Sequence, residues 1–127
     1  MRQLQLKNHP IWQGLTEVLK NLDANYLLTE HLELCNYKIC GYWDEQDEYY
    51  EEITLPRSLS GELISNSIGV TGPKRWIKFK FSLKHNSQNL GELTLIHDEN
   101  MELIDENWQI NIKTLNPKPP EGVSFVV

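Results

Sequence analysis

Six carboxylates fall within nine residues of this chain: Asp44, Glu45, Asp47, Glu48, Glu51 and Glu52, flanked by Tyr42, Trp43, Tyr49 and Tyr50. No basic residue occurs from Ile39 through Pro56. Dense negative charge steers a positively charged partner toward the surface, and aromatic side chains anchor it by burying large areas at little entropic cost. These ten residues form the candidate protein-binding site. The competing explanation is a solvated hairpin tip, its acids paired with Lys78 and Lys80 of a neighbouring strand, and such exposed pairs contribute only about 0 to 1 kcal/mol each.

The other chemistry-bearing residues do not assemble into a site. His31, Cys35 and Cys40 cluster in sequence, but a zinc centre needs three or four converging ligands and no fourth is evident. Asp98-Glu99-Asn100-Met101-Glu102 opens like a calcium loop, yet its sixth position is Leu103 rather than glycine and its twelfth is Gln109 rather than glutamate. Gly69 to Lys74 lacks the spacing of a phosphate-binding loop and leads into a strand. His97 beside Asp98, and His31 between Glu30 and Glu33, are the places where a base lies near a carboxylate, and sequence adjacency is not catalytic geometry. No catalytic residue, metal or cofactor is assigned. The balance favours a binding protein over an enzyme, the enzymatic alternative being an acid–base site in a pocket walled by Trp12, Tyr42, Trp76 or Trp108.

Charge is laid down in blocks. Twelve basic and eighteen acidic side chains give a net charge of −6 over 127 residues. Residues 1–38 are balanced, 39–62 are strongly acidic, 63–91 carry Lys74, Arg75, Lys78, Lys80 and Lys84 with no acid, and 92–127 are acidic again. A basic block this short, bracketed by acid, argues against direct nucleic-acid binding. No apolar run approaches the roughly 20 residues of a membrane span, and the first residues lack a signal-type apolar core, so a cytoplasmic protein is expected.

The elements that must position the acidic cluster follow from periodicity. Asn8-His9-Pro10 predicts a helix start, with Asn8 as cap. Ile11, Trp12, Leu15, Val18, Leu19 and Leu22 then form one apolar stripe to about residue 22. Ala24 to Leu34 suits either a helix or an extended segment. From Tyr37 the period becomes two, with Tyr37, Ile39, Gly41 and Trp43 on one side. Asp44 to Asp47 supply a turn and Tyr49 to Leu55 return, which predicts a hairpin. Arg57 to Thr71 is polar and reads as a connection with one helical turn near Leu59, Leu63 and Ile64. Ile77, Phe79, Phe81 and Leu83 define the clearest strand, and Leu90 to His97 its antiparallel neighbour. In the last strand the inward parity switches between Leu103 and Trp108, which requires a bulge or short turn, placed at Asp105 to Asn107.

These elements predict one α+β domain over 1–127: an N-terminal helix whose Trp12 stripe packs on a curved, mostly antiparallel meander of about five strands. Cystatin-like cones resemble this plan, a likeness of topology that carries no function. An extended, proline-rich tail, 114–127, ends in the apolar Val123 to Val127, which is expected to dock on its own sheet. The function expected is that of a small acidic protein-binding module, an inhibitor or immunity-type protein for a basic enzyme such as a nuclease-type toxin, acting as a monomer or homodimer. A ligand-binding cone and a structural oligomerising subunit are the alternatives.

Overall fold

The computed structural model describes residues 7–115, apart from the side chain of Leu19. The elements are α1 (Ile11–Asn21), α2 (Ala24–Leu34), β1 (Lys38–Trp43), β2 (Tyr49–Thr54), β3 (Ser60–Thr71), β4 (Lys74–His85), β5 (Gln88–Asp98), β6 (Leu103–Ile110) and a short α3 (Ile112–Leu115). This is an α+β protein with two antiparallel sheets: the β1-β2 hairpin and a four-stranded meander in the order β3-β4-β5-β6. The docking expected of Val123 to Val127 lies outside the described residues, as does most of the tail.

The core forms on one face of the meander. Phe79, Phe81, Leu83, Leu90 and Leu93 are completely buried, together with Ile77, Leu95 and Ile110, and Leu28, Leu32, Ile39, Ile53 and Leu55 cover them from above. The expected helix-on-sheet packing is therefore made by α2. Asp23 starts that helix by accepting the Tyr26 N–H at 3.1 Å, which satisfies one of the open amides of the first turn. Its inner face runs from Leu28, against Gly61 of β3, to His31, against Glu106 of β6, so α2 spans the meander from edge to edge.

The α1 stripe, by contrast, is not in the core: Ile11, Trp12 and Val18 are 40 to 51% exposed, while Leu22 at its end does pack inward. Periodicity shows that a helix has an apolar face; it does not show which of two successive helices wins the sheet. His9 rather than Asn8 caps α1, its Nδ1 accepting the Ile11 N–H at 3.1 Å.

Two bulges explain where sequence patterning and strands part company. Between Leu63 and Ser65 the register of β3 on β4 slips by one residue at Ile64. Gly61 and Leu63 lie on the inner face before the slip, and Asn66 and Ile68 after it, so no uninterrupted alternation marks a strand. The segment expected to be a connection is instead a twelve-residue strand. In β6 the parity switch is real: Ile96 pairs with Asp105 and His97 with Leu103, leaving Ile104 as the extra residue, just before the position expected. Beyond Ile110 the chain turns into α3, so Ile112 is half-buried in a helix rather than inward on a strand.

Candidate functional site

The acidic residues do occupy a hairpin. Lys38, Ile39, Cys40, Tyr42 and Trp43 of β1 pair with Thr54, Ile53, Glu52, Tyr50 and Tyr49 of β2. Gly41 has φ +71, a conformation open to glycine without strain, and the inward face changes parity there. Ile39 and Ile53 face the core before it, whereas Tyr42 and Tyr50 pack inward after it. Trp43, expected beside Ile39 and Gly41, is consequently turned outward.

This divides the ten candidate residues into two groups. Tyr42, Asp44 and Tyr50 hold the hairpin. The Tyr42 hydroxyl accepts the Ile110 N–H at 2.8 Å and donates to the Ile110 carbonyl at 3.4 Å, docking the hairpin on the edge of β6. One Asp44 carboxylate oxygen accepts the backbone N–H groups of Gln46 and Glu48, each at 2.9 Å, and the other lies 3.0 Å from the Tyr50 hydroxyl. Hydrogen bonding from the Glu48 amide, above all, holds the Asp44 carboxyl below its usual range. Desolvation first, and then hydrogen bonds to Asp44 and Glu48, push the Tyr50 hydroxyl up to about 12.

Trp43, Glu45, Asp47, Glu48, Tyr49, Glu51 and Glu52 are exposed. Trp43 and Tyr49 are 62% and 54% exposed, and their rings pack together with centroids 4.9 Å apart. Lys38, at 3.1 Å from Glu52, supplies the one ion pair among the described residues that neutralises a hairpin acid. Lys80 pairs with Glu92 instead, at 3.2 Å, so the anticipated pairing of hairpin acids with the basic strand does not occur.

An open groove of about 740 Å³ runs between the hairpin tip and the β6–α3 segment. Trp43, Asp44 and Glu45 line one wall, and Asn107, Trp108, Gln109 and Lys113 line the other. Of the aromatics considered for an enzymatic pocket, Tyr42 and Trp108 meet here. Trp76 lines a different groove of about 680 Å³, with Ile96, Ile104 and Lys78, and Trp12 lines neither.

His31 and His97 make their contacts across the fold. His31 Nε2 lies 2.5 Å from Glu106 Oε2, and its ring is 5.9 Å from that of Trp108. His97 is buried edge-on to Phe79 at 5.6 Å, and its Nδ1 has no hydrogen-bond partner among the described residues. Neither histidine lines either groove. Among the described residues no three His, Cys, Asp or Glu side chains converge as a metal site. Cys35 is half-buried and donates to the Leu32 carbonyl, while Cys40 is exposed; both are free thiols.

Burial, together with the charge of His31 and against the opposing pull of Asp98 and Glu30, depresses the His97 pKa. The folded protein thus keeps this ring neutral at a pH where the unfolded chain takes up a proton. Stability from His97 is complete above the unfolded value of about 6.5 and is lost as pH falls below it toward the depressed folded value. His97→Phe is expected to flatten that part of the stability profile, read as the difference between the two proteins' denaturant midpoints across a pH series. Parallel profiles would show that His97 does not titrate against folding.

No family model matches this chain. Neither a curated protein nor a solved structure matches it either. Among the described residues no helix is long and apolar enough to cross a membrane.

Proposed function

We propose that this protein is a cytoplasmic protein-binding module that engages a basic partner through the outward face of the β1-β2 hairpin, most concretely as an inhibitor or immunity-type protein of a nuclease-like enzyme. One observation carries the reading: a packed, exposed Trp43–Tyr49 pair stands among carboxylates of which, among the described residues, Glu52 alone is ion-paired, on a tip that Asp44 ties down through two backbone amides. A solvated tip has no use for two exposed aromatics, whose burial would contribute far more to binding than to the fold. The fixed tip also lowers the entropic cost of association, because its carboxylates already stand at set spacing. In such a complex the carboxylates would occupy the groove that otherwise takes phosphates.

The test is association kinetics against a panel of small basic nucleases over a salt series. Glu48→Lys combined with Glu51→Lys should slow association about tenfold or more at low salt and weaken its salt dependence. Unfolding should be nearly unchanged, since neither side chain is buried. Trp43→Ala should act mainly on dissociation. Absence of binding across the panel, or rates indifferent to the charge reversal, would return the hairpin acids to a solvated surface.

A further inference from the structure

The two edges of the meander are built differently. At β6 the edge carries Asp105 and Glu106, is interrupted by the bulge at Ile104, and has the backbone N–H and C=O of Ile110 occupied by the Tyr42 hydroxyl. Charges, bulges and covering groups of this kind are how sheets keep foreign strands from adding to an edge. At the opposite edge, β3 is twelve residues long, about twice a typical strand, and pairs only with β4 among the described residues. From Leu63 to Pro73 it has no charged side chain, and no proline falls within the strand. Ile64, Ile68 and Val70 are 49%, 45% and 70% exposed along it. Its one irregularity, at Ile64, leaves Ser65 to Thr71 in regular register.

We propose that the free edge of β3 is the interface between two copies of this chain, joined as antiparallel strands about a twofold axis. Charge selects the occupant. Each copy carries −6, so self-association has to use a surface free of carboxylates, and the β3 strip is such a surface on both copies at once. With the axis at Ser67, Asn66 of one copy faces Ile68 of the other, Ser65 faces Gly69, and Ile64 faces Val70. No like charges oppose each other, and Glu62 falls opposite the uncharged Gly72. Ile64 of each copy covers Val70 of the other, Ile68 lies against Asn66, and the two meanders become one continuous eight-stranded sheet. Because β6 and the hairpin lie at the far edge, this pairing leaves both acidic surfaces at the outer ends of the dimer. The proposal does not depend on what those surfaces bind.

Sedimentation velocity and light scattering on the full chain over a concentration series test it, with Val70→Lys as the variant. Val70 is highly exposed, so the substitution should leave the circular dichroism spectrum and the unfolding of the monomer intact, while weakening dimerisation about tenfold or more by placing a desolvated charge opposite Ile64. A second measurement locates the contact. Ser67→Cys, in a background where Cys35→Ser and Cys40→Ser remove the native thiols, should cross-link two chains under mild oxidation. Residues directly opposed in antiparallel strands have Cα atoms about 4.5 to 5.5 Å apart, within disulfide reach. A cross-link at Ser67 together with a monomeric Val70→Lys variant establishes the interface. A wild-type chain that stays monomeric at every concentration overturns the proposal. So does a dimer that survives Val70→Lys and gives no Ser67 cross-link, since it must then use another face.

Discussion

Phe79→Ala is expected to lower the unfolding free energy by about 3 to 5 kcal/mol, the range for truncating a buried aromatic to alanine. Phe79 is completely buried on the inner face of β4, in register with Leu95 on one side and Asn66 on the other, and its ring supports that of His97. Removing it opens a cavity beneath α2 that a four-stranded sheet, held by pairing on both sides of β4, has little freedom to close. It also deprives a buried histidine of its aromatic neighbour, while its Nδ1 has no hydrogen-bond partner among the described residues. Since small domains are stable by only about 5 to 15 kcal/mol, the variant should stand near the edge of folding at room temperature. Urea or guanidinium unfolding checks this through the midpoint at unchanged slope. A loss below about 1 kcal/mol would mean that Phe79 is not a core residue.

Gly91→Ala should cost a comparable amount, about 2 to 5 kcal/mol, for a different reason. Gly91 has φ +144, and a Cβ there would lie 2.0 Å from the carbonyl oxygen of Gln109 and 3.0 Å from the Cα of Ile110. The atoms in the way are backbone and cannot rotate aside. Alanine therefore combines an unfavourable φ with displacement of β6, effects of about 1 to 3 kcal/mol each. The site follows the β5 bulge, where Leu83 pairs with Gly91 and Lys84 with Asn89, leaving the fully buried Leu90 as the extra residue. Displacing β6 here would also disturb the Tyr42–Ile110 bonds that seat the hairpin. Gly14→Ala is the matched control: nothing lies within 4 Å of its added Cβ, and in α1 the change should stabilise by about 0.5 to 1 kcal/mol. Equal melting temperatures for the two variants would show that Gly91 is not constrained as described.

Much of the candidate site was legible because it is local. A turn flanked by two extended runs is specified by residues that touch their sequence neighbours, and Asp44 to Asp47 supplied that signal without help from the rest of the chain. The periodicity of two in β4 likewise identified the core that Phe79 and Phe81 fill, since a strand buried on one face must alternate. What escaped was the reversal of faces within β3 and within β1. The slip at Ile64 hid β3, and the glycine conformation at Gly41 exchanged Tyr42 for Trp43 as the inward residue.

By itself, then, the sequence determined an α+β chain with an acidic hairpin, a basic central strand and a bulged last strand, because propensity, alternation and turn chemistry act over a few residues. The tertiary structure alone decided that α2 rather than α1 covers the sheet, that His31 bonds Glu106 across 75 residues, that Tyr42 closes the edge of β6, and that β3, which pairs with β4 alone among the described residues, lies at the opposite edge. Two helices with apolar faces compete for one sheet face, and distant side chains meet only after the strands have taken their register. Such outcomes depend on the shape and volume of the assembled core, which no local pattern encodes.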